Sequence, residues 1–454
     1  MADEKVKTIG EDPDDILLEP IFKTGRGFYI TVGILLAIIA WAGIAYMSQL
    51  IWGLGVTNLN RPVYWGMYIT NFVFFIGISH AGTLISAILR IAKAEWRRAI
   101  TRSAEIITVM VLFIGAANPF VDMGRPDRLL NPIIYGRFQS PLLWDMASIT
   151  TYLTASTVYL YIPMIPDIAL IRDRSEGKIR KLIYSILALG WEGTPLQWKV
   201  LERLIAIMAI VVIPIAVSVH TVVSYVFAMT VQPMWHSTVF GPYFVAGAIF
   251  SGIAALIIAM AVLRKAFNLE NYIRRVHFEN MSLLLLVMTL LWFYFTFCEY
   301  ITTFYGAEPV HMAVFWEKFS GRFSPYFWVM CITCFVIPFT ILCNKKTRTI
   351  TGTVIASVSV TIGMWLERFC IIVPTLVNPR LPYDRGNYFP SWVEFSEMAG
   401  CFAGFLLLYV LFTKFFPVIS IWEIKEGRKK SVQEVSERVE SYLPGLKNEP
   451  ERAD

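Results

Sequence analysis

The chain has 454 residues, of which 16% are charged and 56% belong to the hydrophobic types. A soluble domain carries about 25% charged residues, so this composition excludes a fold surrounded by water and favours a protein embedded in a bilayer. The formal net charge is only +6 and gives no reason to expect a nucleic acid as partner.

Ten apolar stretches follow one another, and each approaches the roughly 20 residues that a helix needs to cross the hydrocarbon core. They run over residues 28–52, 63–89, 104–121, 141–171, 204–231, 239–263, 281–306, 325–343, 350–376 and 395–418. The stretches are continuously apolar, whereas the strands of a membrane barrel alternate between apolar and polar residues. The sequence therefore predicts an all-α polytopic membrane protein with ten transmembrane helices.

Lysine and arginine are distributed unevenly over the connections between these helices. The connections after helices two, four, six and eight hold more than twice as many of them as the other five. Cytoplasmic loops carry such an excess, so both termini are predicted to be cytoplasmic, around a transmembrane domain of residues 28–418. Residues 1–27 and 419–454 are too short to bury a core and are expected to lie on the membrane surface or against a partner subunit.

The cysteines and histidines give no sign of a metal centre. Only Cys331 and Cys334 form a CxxC pair, and zinc or iron–sulfur sites usually take four ligands. Of the five histidines, only His80 and His220 fall well inside predicted helices, which argues against a haem held between facing histidines. We therefore expect a membrane subunit that binds neither haem nor metal itself.

A few ionisable residues lie in or beside the predicted helices. Such groups are rare in a bilayer and normally face a cavity, a partner or a proton route. They are His80, Asp122, Asp145, His220, Glu299 and Glu367. On the predicted topology most of them fall in the outer halves of their helices, with His80 deeper. Together they outline a cavity that opens outward.

Several segments resemble one family of membrane subunits. The first half of the chain contains FFIGISHAGTLISAILRIAK, DMGRP, SPLLWD and IPDIALIRDR, and the second half contains WHSTVFGPYFVAGAIFSG and ERFCIIVP. These segments resemble the polysulfide-reductase/NrfD-type subunits, with the strongest likeness to the large C-type membrane subunit of alternative complex III. The resemblance covers helices two to ten.

The resemblance implies two four-helix bundles, over about 63–231 and 239–376, with further helices beside them, in the bacterial cytoplasmic (inner) membrane. It also implies a menaquinone or ubiquinone site near the outer surface. Electrons would be exchanged there with a periplasmic iron–sulfur subunit, in a complex that also holds multihaem cytochrome c and other membrane subunits. The direction of electron flow is left open.

A quinone head group gains or loses protons at two oxygens, so its site needs acid–base groups at hydrogen-bond distance. We expect Asp122 and Asp145 to act there as catalytic residues, with His80 supporting proton movement beneath them. The full quinone-binding set is expected to be Asp122, Arg125, Asp145, Trp65, Tyr68, Trp144 and Tyr152. The expected proton route is formed by His80, His220, Glu299 and Glu367.

Asp122 departs from the family pattern, because a histidine is expected before the glycine-containing turn. Each predicted site residue also has a structural interpretation. Asp145 is compatible with a helix cap, Arg125 with an ion pair to Asp127 that fixes the loop, and His80 with a packed residue of a helix. For the whole chain, a secondary transporter or ion pump and a passive membrane anchor without a quinone site are the alternatives.

Overall fold

The apolar stretches form helices in the computed structural model, which describes residues 13–380 and 385–442. Ten helical segments of the described residues are long and apolar enough to cross a membrane, so the predicted all-α polytopic class is confirmed. In chain order these spans 1 to 10 are Arg26–Trp52, Met67–Ile91, Thr101–Asp122, Pro141–Arg174, Pro195–Ala228, Phe240–Ala266, Arg275–Gly306, Ser324–Cys343, Ile350–Val377 and Trp392–Phe415.

Three of the spans are composed of two α-helices. Span 2 is divided into Met67–Ile78 and His80–Ile91, span 4 into Pro141–Tyr161 and Ile165–Arg174, and span 8 into Ser324–Cys331 and Ile337–Cys343. The α-helices outside the spans are Pro13–Phe22, Asn131–Ile134, Lys178–Leu187, Pro309–Phe319 and Ile421–Tyr442.

The spans pack as two four-helix bundles with two helices beside them. Spans 2 to 5 form the first bundle and spans 6 to 9 form the second, while span 1 lies along span 10, which contacts spans 2 and 3. Span 6 contacts spans 2 and 5, and span 9 contacts span 2, so the bundles share a wide interface. The predicted pair of bundles with flanking helices matches this packing.

The two ends of the bundles differ in charge. Span 3 ends at Asp122 and span 10 begins two residues before Glu394, and we call this end of the molecule the acidic end. Span 2 reaches the opposite end with Arg90 in its last turn, and the helix that follows carries Arg97 and Arg98. We call that opposite end the basic end.

Spans 2 and 3 touch backbone to backbone at Gly82. A Cβ atom at this position would lie 1.7 Å from the carbonyl oxygen of Ala104, so only glycine fits there. Such small residues let helices approach closely inside membranes, where association depends on packing.

The start of the C-terminal helix Ile421–Tyr442 is part of the folded domain. Glu423 is buried at the basic end, where it accepts hydrogen bonds from Arg90 at 3.0 Å and Arg97 at 2.9 Å. Asp167 of span 4 accepts hydrogen bonds from the backbone N–H groups of Ile421 and Trp422, both at 3.2 Å. These contacts join residues far apart in the chain, so no local pattern in the sequence predicts them.

Candidate functional site

At the acidic end, a group of polar side chains lies between spans 1, 2, 3 and 10. The Tyr68 hydroxyl donates to Gln49 Oε1 at 2.7 Å, and Gln49 Nε2 donates to the carbonyl of Val121 at 2.6 Å. The carboxyl groups of Glu394, Glu397 and Asp122 are near enough to Tyr68 to interact with it electrostatically. The structure therefore brings the predicted residues Asp122 and Tyr68 together.

Glu394 and Glu397, from the first turns of span 10, differ in how well their oxygens are satisfied. Glu394 accepts hydrogen bonds from the Tyr388 hydroxyl and from the backbone N–H groups of Asn58 at 3.1 Å and Ser391 at 2.8 Å. Glu397 has a buried Oε1 atom with no hydrogen-bond partner among the described residues. This second carboxylate is free to meet a ligand or to hold a proton.

Asp145 lies near the start of span 4, on the face that points into the first bundle. The residues four, seven and eleven positions further along, Ile149, Tyr152 and Ser156, are all buried, and residues at this spacing share one helix face. Its Oδ1 atom is buried and has no hydrogen-bond partner within the described chain. No polar contact between Asp145 and Asp122 occurs in the described residues, so the two carboxylates have separate surroundings.

The loop between these carboxylates is exposed. Arg125 forms two hydrogen bonds with Asp127, at 3.0 and 2.9 Å, and these bonds lower the pKa of Asp127. Trp144 is partly exposed and donates from Nε1 to the carbonyl of Phe138 at 2.6 Å. Arg125 and Trp144 thus contact their own loop rather than Asp122 or Asp145.

Trp65 lies just before span 2, next to the connection between spans 5 and 6. Its ring is stacked on that of Trp235, with centroids 6.5 Å apart, and meets the Phe227 ring edge-on at 6.3 Å. Trp65 and Tyr68 are only three residues apart, yet Trp65 contacts aromatic rings whereas Tyr68 contacts a polar group.

In the middle of the first bundle, two buried histidine rings touch. The ring centroids of His80 and His220 are 3.6 Å apart, and the Tyr152 ring lies 5.2 Å from that of His80. His80 Nε2 is 2.6 Å from the carbonyl oxygen of Ala216; a carbonyl only accepts, so Nε2 carries the proton. The sequence suggested different depths for the two histidines, and the structure places them side by side.

Span 2 is interrupted directly beside His80 by a hydroxyl from span 3. The Thr108 hydroxyl donates to the carbonyl of Ser79 at 2.6 Å and accepts from the backbone N–H of Thr83 at 3.1 Å. It therefore takes the place of the hydrogen bond that would join Ser79 and Thr83 in a continuous helix. Tyr152 also donates to the Ser79 carbonyl, at 3.1 Å.

From the histidine pair, buried hydroxyl and carboxyl groups continue towards the basic end. Thr83 is 3.3 Å from Ser156. One helical turn further along span 2, Ser86 donates to Glu105 at 2.5 Å and lies 3.2 Å from the Tyr159 hydroxyl. This chain of polar groups runs between spans 2, 3 and 4, inside the first bundle.

Tyr159 and Glu105 both lie close to Arg90. Because Arg90 is paired with Glu423, the chain of polar groups ends at the basic end of the molecule.

On the other side of the histidine pair, span 9 contributes a buried ion pair. Arg368 is paired with Glu367 at 3.0 Å, and its guanidinium group lies 4.6 Å from the centre of the Phe244 ring. Arg368 is near enough to His220 to interact with it electrostatically. A Cβ atom on Gly247 of span 6 would lie 2.8 Å from Arg368 Nη2, so glycine is what admits the guanidinium to the interface between the bundles.

Glu367 and Glu299 lie at different levels of the second bundle. Glu367 accepts a hydrogen bond from Trp292 Nε1 at 3.1 Å, whereas Glu299 accepts one from the Ser237 hydroxyl at 2.6 Å. Lys318, on the helix Pro309–Phe319, interacts electrostatically with Glu299, and burial lowers the pKa of this lysine to about 8. Glu299 is therefore associated with a cation of the helix Pro309–Phe319 rather than with the histidine pair.

Sequence reasoning missed several residues of these groups. Glu105 and Glu397 both lie inside predicted helices, so their charges were a signal that went unused. Glu394 follows Ser391 by three residues, a spacing typical of a helix cap, and its contact with Asn58 depends on the folded chain. Among the described residues, no three His, Cys, Asp or Glu side chains are placed to hold one metal ion.

Comparison with known proteins gives one family match. The family of polysulphide reductase, NrfD, matches residues 55–379.

Three related proteins are named as parts of reductases or oxidoreductases. A protein of Halobacterium salinarum, named as a membrane subunit of a dimethyl sulfoxide reductase, is 27% identical over 54% of this chain and 54% of its own length. A selenate reductase subunit of Mesobacillus selenatarsenatis is 23% identical, over 89% of this chain and 95% of that protein. The Hdr-like menaquinol oxidoreductase integral membrane subunit of Archaeoglobus fulgidus is 23% identical, over 88% and 95%.

Proposed function

Because the chain belongs to the NrfD polysulphide reductase family, we propose that it is the quinone-reactive membrane subunit of a multi-subunit oxidoreductase in the cytoplasmic membrane. The names of its relatives support this proposal, since two are reductase subunits and one is a menaquinol oxidoreductase subunit. Menaquinone is the substrate that the last of these names suggests. The basic end faces the cytoplasm, in keeping with its lysines and arginines, and the acidic end faces outward.

The quinone head group binds at the acidic end of the first bundle, with Asp145 and Asp122 as its acid–base groups. The observation that carries this assignment is the buried, unpartnered Oδ1 atom of Asp145. A buried carboxylate oxygen without a hydrogen bond is costly, and a hydroxyl group of a ligand supplies the missing contact. Asp145 does not cap its helix, because that helix begins at Pro141 and Ser140 occupies the N-cap position.

Tyr68 and Glu397 extend the site on the side of span 10. Tyr68 is held by Gln49, which fixes the direction of its hydroxyl next to Asp122. Glu397 offers a second unpartnered carboxylate oxygen. Asp145 on span 4 and the carboxylates beside span 10 lie on different sides of the site. This arrangement suits a substrate that exchanges two protons, because each oxygen of the head group then has its own acid–base group.

The electron-transfer partner, an iron–sulfur subunit, docks over the exposed loop at the acidic end. This loop carries a cluster of exposed apolar side chains that are unusual outside a span. They are Leu130, Ile133, Ile134, Tyr135 and Phe138. Apolar patches of this kind mark protein or membrane contacts, and this one lies beside Asp145.

Protons move between the site and the cytoplasm through the first bundle. The support is two groups of hydrogen-bonded side chains that follow the histidine pair, one helical turn apart on span 2. Tyr152, Thr83 and Ser156 form the first group, and Ser86, Tyr159 and Glu105 form the second. The ion pair formed by Glu367 and Arg368 is neutral overall and lies next to the histidine pair. Glu299 lies on the second bundle and serves a separate outward route with Lys318.

The test is the replacement of Asp145 by asparagine in the purified complex. Asp145→Asn keeps the size of the side chain and removes the base, and loss of a positioned general base costs about 10²–10⁴-fold in rate. Quinone-linked turnover is expected to fall by this factor, while the partner subunits still co-purify. Asp173→Asn is the matched control, because Asp173 is an exposed carboxylate at the other end of span 4, paired with Arg172.

Unchanged turnover and unchanged binding of a quinone analogue in Asp145→Asn would favour a structural role for Asp145 and a passive anchor. Turnover that responds to an imposed ion gradient but not to quinone would favour the transporter.

A further inference from the structure

At the basic end, a groove of about 900 Å³ lies outside both bundles, between the helix Lys178–Leu187, the start of span 1 and the end of span 10. Its walls are mainly apolar and include Phe28, Ile183, Leu411 and Phe415. Three cations, Lys178, Arg180 and Lys414, also line it. None of the residues assigned above to the quinone site or the proton route takes part.

The three cations are not neutralised by the described part of the chain. Lys414 donates to the carbonyls of Pro20 at 2.6 Å and Lys23 at 2.7 Å. Arg180 makes one long hydrogen bond, of 3.4 Å, to the carbonyl of Ile21. Among the side chains that the structure describes, no ion pair occurs between any of the three and a carboxylate. An anion in the groove would supply the missing charge.

The helix that forms one wall has the pattern of a membrane-surface helix. Ile179, Leu182 and Ile186 are 77%, 62% and 65% exposed, and their spacing of three and four residues places them on one face. An exposed apolar face beside lysines and arginines is typical of helices that lie in the headgroup region of a bilayer. The mouth of the groove is therefore at the depth where phosphate groups of lipids meet their hydrocarbon chains.

From this charge and position we infer that the groove binds one anionic phospholipid. The phosphate lies between Lys178, Arg180 and Lys414, and the hydrocarbon chains follow the apolar wall towards Leu411 and Phe28. Basic pockets between transmembrane helices on the cytoplasmic side bind lipid headgroups in this way. The lipid links the N-terminal helix Pro13–Phe22 to span 10, because Arg180 and Lys414 already contact its end.

The experiment compares lipid retention by the purified complex. The complex is placed in nanodiscs of equimolar phosphatidylglycerol and phosphatidylcholine, extracted, and the retained lipids are counted by native mass spectrometry. We expect enrichment of phosphatidylglycerol, which falls about tenfold when Lys178→Gln and Arg180→Gln are combined. Lys345→Gln with Lys346→Gln removes the same charge from an exposed connection outside the groove and should leave the enrichment unchanged.

Arg180 also lies 4.6 Å from the centre of the Phe22 ring, so the double variant could disturb the local fold. Lys178→Gln alone leaves that contact in place and should give an intermediate loss. The inference is overturned if the double variant retains the wild-type enrichment. It is also overturned if the control pair loses as much, because the attraction would then be that of the whole surface.

Discussion

At the scale of single residues, Glu105 has an unusual position for a carboxylate. It lies inside span 3, fully surrounded by protein, and its hydrogen bond comes from Ser86 at 2.5 Å. A charge at membrane depth is costly unless it is paired or relays protons. Arg90 lies close by, but its own ion pair is with Glu423, so Glu105 is available to relay protons.

We expect Glu105→Gln to slow quinone-linked turnover on the order of 10²-fold, the lower range for removing a proton-transfer group. The amide keeps the hydrogen bond from Ser86, so the fold is retained. Turnover and the accompanying pH change are measured with the complex in sealed vesicles. Glu202→Gln is the control, because Glu202 is exposed on span 5, and equal rates for both variants would remove Glu105 from the route.

At the scale of elements, span 2 depends on span 3 for its shape. The Thr108 hydroxyl satisfies both the Ser79 carbonyl and the Thr83 N–H. Thr108→Val keeps the shape of the side chain but leaves a buried N–H without its partner, at a cost of about 1–3 kcal/mol. We expect a lower unfolding temperature and faster hydrogen exchange around Ser79.

Thr108→Ser retains the hydroxyl and is expected to behave like the wild type in the same measurements. If the valine and serine variants unfold at the same temperature, the hydroxyl does not hold the break in span 2.

The C-terminal helix is held by a carboxylate whose pH response has a definite sign. Burial alone would raise the pKa of Glu423, but the guanidinium groups of Arg90 and Arg97 outweigh it and hold the pKa below its ordinary value. A lowered pKa in the folded state gives stability above the unfolded value of about 4.3, and this stability is lost as the pH falls through the folded pKa. Docking of this helix should therefore be constant from neutral pH down to about 5 and fail only in stronger acid.

Hydrogen exchange of the first turns of the helix over a pH series checks this expectation. Glu423→Gln should release the helix at neutral pH, since breaking a buried ion pair costs about 3–5 kcal/mol. Glu426→Gln is the matched control, because Glu426 is partly exposed and its contact with Arg98 is 3.5 Å long. Release of the helix already at pH 6 in the wild type would contradict the assigned role.

At the scale of the whole molecule, the orientation in the membrane decides from which side electrons and protons arrive. Asn131 and Glu176 are both exposed and lie at opposite ends of the spans. A cysteine at Asn131 is expected to react with an impermeant thiol reagent from outside, and one at Glu176 only after the membrane is opened. Cys343, which is exposed, is first replaced in the background, and a reversed pattern would move the quinone site to the cytoplasmic face.

The spans and their number were predictable because each is a continuous apolar run, a property of neighbouring residues in the sequence. The candidate site was predictable only in part. Asp145 was found as a charge at a helix end, but the contact of His80 with His220 depends on how spans 2 and 5 pack. Glu394 meets Asn58 across more than 300 residues, and no local pattern encodes such a contact.

The position of the histidine pair has an electrical consequence. His80 lies near the middle of the 25-residue span 2, and moving one elementary charge across a whole membrane requires about 2.3 kcal/mol per 100 mV. A proton that reaches the pair from either aqueous side has therefore crossed about half of the voltage drop. A reaction whose rate depends on that arrival responds to membrane voltage, even when no ion travels from one side of the bilayer to the other.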